Sequence, residues 1–250
     1  MKLAFISDIH GNYHALEAVL MDIAAVRADK IYVLGDLVFK GPKPAECIRK
    51  IRQLNTVVIQ GNIDELVGCN AIQPGFAKTE EQRAALLEEM EWTRSRLTSD
   101  ELEYLATLPF SHEEEPVEGL RFRMVHANPR NLLEQVLPTD EEEQVLARMF
   151  EGTEAGIALY GHIHMPYIRH IGGKVVANTG SVGLPFDGNP AASYALLEVD
   201  EPYAGSAVPA FSLGIRRVPY DVEAAVGAFE DSGHPFAEAM ISALRAGKRP

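Results

Sequence analysis

The sequence predicts an α/β fold whose second half is of the α+β kind, and two features of the chain lead to this prediction. Up to residue 62, short apolar runs alternate with helical patterns in the order β-α-β-α-β. That order implies parallel strands joined by right-handed crossovers. After residue 164 the apolar runs are short and are separated by Gly, Pro and Asp, which indicates added antiparallel strands and leaves room for a second sheet.

The first part of the chain contains three predicted strands and two predicted helices. The strands are the apolar runs at 2–7, 31–34 and 56–60. Apolar residues at helical spacing predict a helix over 12–26, for which Asn12 is a suitable N-cap. A second helix is predicted to begin at Pro44, because proline suits the first turn of a helix.

Residues 65–119 interrupt this alternation. The segment is strongly acidic, and its leucines predict two helices. We interpret it as a helical insertion leaning over or beside the functional crevice, within a single domain that covers residues 1–250. The acidic run is interpreted as a solvated face.

Beyond the insertion the pattern returns to strands. They are predicted at 120–125, 157–160, 167–171, 174–177, 193–199 and 211–218. A helix is expected over roughly 140–150, and one or two closing helices over 222–244, with an interruption at Gly233-His234-Pro235.

The composition excludes several classes of protein. With 46% hydrophobic and 24% charged residues, the chain has an ordinary globular composition. The sequence shows neither an apolar run of about 18 residues nor a signal peptide, and it has only two cysteines. We therefore expect a cytoplasmic protein that does not associate with membranes. The formal net charge of −13 argues against a nucleic-acid partner, which would need a basic surface.

Polar residues with metal-binding side chains follow five of the apolar runs. Taken singly, each is more often a helix cap, a turn residue or a satisfied polar group. The carboxyl ends of parallel strands, however, form the ligand crevice of α/β sheets, so residues that follow different strands can meet there. Residues two apart in extended backbone also point the same way, so both members of such a pair can face the crevice. Together these residues predict one divalent metal site. The candidate ligands are Asp8, His10, Asp36, Asn62, His126, His162 and His164.

These motifs occur in a familiar order. The sequence contains Asp8-Ile9-His10, Gly35-Asp36, Gly61-Asn62, His126 and Gly161-His162-Ile163-His164. The series resembles the signature of the calcineurin-like metallophosphoesterases over most of the chain. The turn at 178–183 is similar to that of the small prokaryotic members, the branch of phosphodiesterases and diadenosine tetraphosphatases.

The resemblance implies a fold, a metal centre and a reaction. The fold would be a two-sheet sandwich flanked by helices, with two divalent ions bridged by Asp36. One ion would be held by Asp8, His10 and His164, and the other by Asn62, His126 and His162. The implied activity is hydrolysis of a small phosphodiester or phosphomonoester by a hydroxide that bridges the ions. Mixed nitrogen and oxygen ligands suit Mn²⁺, Fe, Zn²⁺ or Ni²⁺, and the implied catalytic residues are His10, Asp36, Asn62 and His126.

One position departs from the family pattern. Many members carry His after Gly-Asn, where it is thought to protonate the leaving oxygen, whereas this chain has Ile63 followed by Asp64. His14 is a candidate replacement or a surface histidine. Asn12 and Arg130 are candidate substrate contacts, and a loop salt bridge is an equal alternative for Arg130.

A function from another class stays open. The missing acid is compatible with a non-catalytic, metal-binding interaction or scaffold protein of the same fold. A nuclease is disfavoured by the acidity of the chain. The sequence gives no oligomeric state.

Overall fold

The computed structural model describes residues 1–200 and 209–250, and it contains two mixed β-sheets with flanking helices. In chain order the strands are β1 (Lys2–Ile6), β2 (Lys30–Val33), β3 (Val57–Val58), β4 (Ser111–Val117), β5 (Leu120–Val125), β6 (Ile157–Tyr160), β7 (Tyr167–Ile171), β8 (Lys174–Asn178), β9 (Ala192–Val199) and β10 (Phe211–Val218). The helices are α1 (Tyr13–Ala25), α2 (Pro44–Gln53), α3 (Asn62–Cys69), α4 (Glu80–Ser95), α5 (Ser99–Ala106), α6 (Glu142–Met149), α7 (Val222–Ser232) and α8 (Ala237–Ala246).

The first sheet has the strand order β10-β9-β1-β2-β3. Strands β1, β2 and β3 are parallel, which confirms the predicted β-α-β-α-β order. Strand β9 pairs antiparallel with β1 and with β10, as expected for the late part of the chain. The late strands therefore extend the first sheet as well as the second.

The second sheet has the order β4-β5-β6-β8-β7. Strand β8 pairs antiparallel with β7 but parallel with β6, so the expectation of antiparallel pairing alone was wrong for this strand. It returns through the β7 hairpin to lie beside β6 in the same direction. This pairing keeps the carboxyl end of β6 next to the turn that follows β8.

The insertion is helical only in part. Helices α4 and α5 confirm the two predicted helices, but β4 is a strand inside the segment predicted to be helical. Its glutamates alternate between the faces of an edge strand and form ion pairs. Glu113 lies 2.6 Å from Arg123, and Glu114 lies 2.9 Å from Lys30. The glutamates of β4 are thus paired along an edge strand, whereas most of those on α4 are exposed, as the solvated-face interpretation expects. The division into one domain with an insertion stays a prediction.

The two sheets pack face to face because residues on each strand alternate. Phe5 of β1 stacks on Tyr32 of β2, with ring centres 4.9 Å apart, and meets Phe122 of β5 edge-on at 5.2 Å. Ala4 and Ile6 point the other way and belong to the core beneath the helices. Both faces of β1 are therefore buried, which explains its nearly continuous apolar sequence.

The helices confirm most of the expected boundaries. Asn12 accepts the backbone N–H of Ala15 at 3.1 Å and caps α1. Pro44 is the first residue of α2. Gly233, with φ of +68°, ends α7 at the predicted interruption. Among the described helices, none combines the length and apolarity that a bilayer crossing requires.

Candidate metal centre

The seven candidate ligands converge at the carboxyl ends of strands from both sheets. The first sheet supplies four of them, from the ends of β1, β2 and β3, and the second supplies three, from the ends of β5 and β6. Six are buried, and His162 is half-buried. The crevice therefore lies where the two sheets meet.

One half of the cluster is formed by Asp8, His10 and His164, whose ligand atoms lie within 4.8 Å of one another. The Nε2 atoms of His10 and His164 are 3.1 Å apart. The Oδ1 atom of Asp8 is also 3.1 Å from His164 Nε2. These separations are within reach of one ion with bonds of about 2.0–2.2 Å.

The other half of the cluster surrounds Asn62. Its Oδ1 atom is 2.8 Å from Nε2 of His126 and 3.0 Å from Nδ1 of His162. Oδ2 of Asp36 lies 3.4 Å from His126 Nε2 and 3.6 Å from His10 Nε2. Asp36 thus stands between the halves, as a bridging ligand must. Asp8 also approaches the second half: ligand atoms of Asp8, Asp36 and His126 lie within 4.8 Å of one another.

The outward-facing ring nitrogen of each histidine contacts a backbone carbonyl. A neutral imidazole that donates its outer N–H in this way turns an unprotonated nitrogen toward the cluster, as metal-binding histidines do. When both rings are neutral, the inner nitrogens of His10 and His164 are two lone pairs that face each other. A cation relieves that conflict, so the donor set fits a metal. The four pairs, at 2.5–3.3 Å, are His10 with Val38, His126 with Leu34, His162 with Leu133 and His164 with Leu184.

The backbone of the ligand loops is unusual. Five of the candidate ligands have a left-handed backbone, which costs about 1–3 kcal/mol per non-glycine residue. Two glycines let the loops approach each other closely: a Cβ at Gly41 would overlap the carbonyl of His10, and one at Gly183 would overlap that of Ile9. Strain of this kind collects at functional sites. The φ angles are +55° for Asp8, +48° for His10, +56° for Asp36, +67° for His162 and +57° for His164.

Asp64 fixes the loop that carries Asp36. This fully buried carboxylate accepts the backbone N–H groups of Asp36 at 2.7 Å, Leu37 at 2.9 Å and Gly61 at 2.9 Å. Sequence reasoning did not find this role. The available signal was its place at the third position of α3, where an acidic side chain reaches back to the N-cap residue that precedes the helix.

Burial and mutual contact change the pKa values of the cluster. Burial alone would raise the pKa of Asp8, but the surrounding imidazoles hold it below its usual value. Burial lowers the pKa of His10 and of His162 to about 4, so both are neutral at pH 7. Burial opposes the charged form of His126 as well, but the Asp36 carboxylate prevails and raises its pKa to about 9. Metal binding at His126 must therefore displace a proton.

Comparison with known proteins decides the family. The model of the calcineurin-like phosphoesterase superfamily domain matches residues 1–202. This chain belongs to the calcineurin-like phosphoesterase superfamily. The predicted family, the predicted sandwich and the expectation of a hydrolase acting on phosphoric ester bonds are confirmed.

Three relatives show how far the similarity extends. An uncharacterized protein of Methanocaldococcus jannaschii is 32% identical over 240 residues, which is 89% of each chain. The phosphodiesterase YfcE of Escherichia coli is 28% identical over 80% of this chain and 89% of its own length. A metallophosphoesterase structure from Sphaerobacter thermophilus superposes with a TM-score of 0.75 at 28% identity, and the match covers 99% of both chains.

A cleft of about 740 Å³ lies beside the ligands of this phosphoesterase, and Ile63 is part of its lining. At one edge, Glu89 of α4 accepts the backbone N–H of Lys40 at 3.1 Å, and the Lys40 amine lies 3.8 Å from the same carboxylate. Glu89 is also 3.2 Å from Nε2 of His234. The insertion, the loop after β2 and the α7–α8 connection thus meet at this edge.

Asn12 has a structural role and does not line the cleft. Besides capping α1, its amide group donates to the Gly183 carbonyl at 2.9 Å and to the Tyr220 hydroxyl at 3.1 Å. The structure gives it the role of tying α1 to two later segments.

Arg130 and His14 also lie outside the cleft lining. Arg130 donates to Glu151 at 2.9 Å, and both side chains are about half exposed, at 49% and 61%. This is the loop salt bridge that the sequence left as an alternative. His14 is a half-buried residue of α1. None of Asn12, Arg130 and His14 is part of the substrate site proposed below.

Proposed function

We propose that this protein is a metal-dependent phosphoesterase that hydrolyses a small phosphorylated substrate, a phosphodiester or a phosphomonoester. Two divalent ions would be held by the seven clustered residues, with Asp36 between the two halves. Asp8, His10 and His164 would hold one ion, and Asn62, His126 and His162 the other.

One observation supports the proposal: four buried or half-buried imidazoles turn their inner nitrogens toward the side-chain oxygens of Asp8, Asp36 and Asn62, while their outer nitrogens contact backbone carbonyls. A structural salt-bridge network does not need four rings fixed in this way. A pair of divalent ions does.

The ions, when bound, supply Lewis acidity to the phosphoryl group and lower the pKa of a water. The residues of the chain itself position the metal ligands and the substrate. Asp64 fixes Asp36 through three backbone N–H groups. Lys40 lines the cleft and brings a positive charge to the anionic substrate. The Leu34 carbonyl, 2.7 Å from His126 Nδ1, holds that ring in its orientation.

The residue at position 63 limits which leaving groups the substrate can have. This residue is 5% exposed, lines the cleft directly after Asn62 and has no proton to give. A leaving alkoxide of high pKa needs a proton, and general acid catalysis contributes about 10²–10⁴-fold. The substrate is therefore an activated ester or one with a phosphate leaving group.

The test combines metal analysis with turnover. The protein is expected to hold two divalent ions per chain and to hydrolyse bis(4-nitrophenyl) phosphate. Asp36→Asn and His126→Ala should each remove nearly all turnover while the circular dichroism spectrum stays native. His170→Ala is the matched control, because His170 is exposed on β7 away from the cleft. Turnover at the wild-type level in both site variants would contradict the proposal.

A third outcome has a separate meaning. If the wild-type protein binds two ions but hydrolyses no phosphoester, it is a metal-binding interaction protein of this fold. The physiological metal and the cytoplasmic location stay predictions.

A further inference from the structure

We propose that the cleft beside the metal centre is a binding site for an aromatic group of the substrate, a nucleobase or an aryl group esterified to the phosphoryl group. The proposal rests on the proposed function, because it names the class of substrate that the same site would hydrolyse.

The walls of the cleft beyond the ligands are mainly apolar. They carry three half-buried phenylalanine rings from three separate segments: Phe76 before α4, Phe186 after β8 and Phe236 at the start of α8. Leu86, Leu133 and Met240 extend the apolar lining. Each ring packs on the protein by one part and leaves another part to the cleft. A cleft of about 740 Å³ falls in the size range of ligand pockets, about 300–1,000 Å³, and exceeds what a phosphoryl group needs.

Phe186 brings the aromatic lining up to the metal centre. Its ring stacks on the candidate ligand His164, with ring centres 4.3 Å apart and planes within 11°. The guanidinium of Arg249 lies 5.3 Å from the centre of the Phe186 ring. A substrate ring would thus meet an aromatic and planar surface next to the reacting group. Aromatic rings pair with such surfaces in stacked or edge-on geometry.

The charges of the cleft fit the same ligand. Outside the metal cluster, the charged side chains of the lining are two cations, Lys40 and Arg249, and one anion, Glu89, so their net positive charge suits a phosphoryl anion. The Glu89 carboxylate accepts the backbone N–H of Lys40 and lies 3.8 Å from the Lys40 amine. A saccharide or an aliphatic amino acid would offer these phenyl rings no flat apolar face, whereas the base of a nucleotide or an aryl ester would.

The first experiment compares three 4-nitrophenyl phosphodiesters whose second ester group is methyl, benzyl or thymidine 5′. The leaving group is the same in all three, so the comparison isolates the second ester. We expect kcat/KM to be at least about tenfold higher for the benzyl and thymidine esters than for the methyl ester. If only one of the two is preferred, the result identifies whether the site takes an aryl group or a nucleoside.

Variants then assign the preference to the phenylalanine rings. Phe236→Leu and Phe76→Leu should each lower the ratio of kcat/KM for the aromatic esters to kcat/KM for the methyl ester by at least about threefold. Two variants are used in case one of them fails to fold. Phe110→Leu is the matched control, because Phe110 is 37% exposed and lies outside the cleft. Its ratio should equal that of the wild type.

Binding is measured separately from turnover. Calorimetry with phenylphosphonate and methylphosphonate should give at least about tenfold tighter binding of the phenyl compound, and Phe236→Leu should reduce that difference. Equal kcat/KM for all three esters together with equal phosphonate affinities would overturn the aromatic site, while hydrolysis of the methyl ester would leave the phosphoesterase function intact. Absence of hydrolysis of all three esters and of the monoester 4-nitrophenyl phosphate would instead refute the proposed function.

Discussion

Replacing Asp64 by Asn tests whether a residue outside the ligand set governs the metal centre. The carboxylate accepts three backbone N–H groups, two at Oδ2 and one at Oδ1, with Asp36 at 2.7 Å and Leu37 and Gly61 at 2.9 Å. An asparagine has one acceptor oxygen. If that oxygen takes the place of Oδ2, the amide nitrogen faces the Leu37 N–H, and two donors oppose each other.

The cost can be worked out from these contacts. A buried N–H left without an acceptor costs about 1–3 kcal/mol. Burial and the Asp36 carboxylate raise the pKa of Asp64 to about 7, so above that pH the two retained bonds also lose the assistance of the negative charge. We therefore expect Asp64→Asn to lower the free energy of unfolding of the metal-free protein by about 2–4 kcal/mol. Because Asp36 is then less well positioned, metal affinity should fall by about 10–100-fold.

Urea unfolding of the metal-free variant measures the first effect, and competition with a chromogenic chelator measures the second. Asp231→Asn is the control, since Asp231 is exposed on α7. If Asp64→Asn changed neither quantity relative to this control, the positioning role of Asp64 would be refuted. If stability fell and metal affinity did not, Asp64 would be important for the fold alone.

Three further predictions concern the metal, the leaving group and Asn12. Removing divalent ions with a chelator should abolish hydrolysis and lower the melting temperature, because ions that bind only the folded chain stabilise it; calorimetry with and without added Mn²⁺ checks this, and an unchanged melting temperature would count against a folded-state site. Ile63→His should raise kcat/KM mainly for poor leaving groups, so a plot against leaving-group pKa should become shallower; a slope that stays the same would mean that the missing acid is supplied elsewhere. Asn12→Ala should lower the free energy of unfolding by about 1–3 kcal/mol and leave kcat/KM within about twofold; a large fall in kcat/KM at full metal content would return Asn12 to the substrate site.

Much of the fold could be predicted because its signals are local. The apolar run of β1, the Asn12 cap and Pro44 each depend on a few neighbouring residues, and the structure agrees with them. Strand β4 was missed because Glu113-Glu114-Glu115 has the composition of a solvated segment. Its strand conformation depends on backbone pairing with β5 and on ion pairs with Arg123 and Lys30, which come from other strands.

The residues of the site also fall into those that local sequence could predict and those that it could not. The candidate ligands could be named because they directly follow apolar runs, and the order of the motifs resembles a known family. The roles of Arg130 and Asn12 could not be decided, because they depend on Glu151, Gly183 and Tyr220, which are distant in sequence. The aromatic lining of the cleft was invisible for the same reason, since its phenylalanines come from separate segments.

The origin of the ligands from both sheets has a consequence for the kinetics of folding. His10 and His164 approach each other across 154 positions of the chain, so this half of the site is complete only when both sheets have docked. Contacts between residues so distant in sequence form late, because a long loop must close first. Bound ions would then act little on the folding rate and mainly slow unfolding, since their contacts are absent from the transition state. The metal centre would therefore form last during folding, and the ions would have to lose ligands from one sheet before the two sheets could separate.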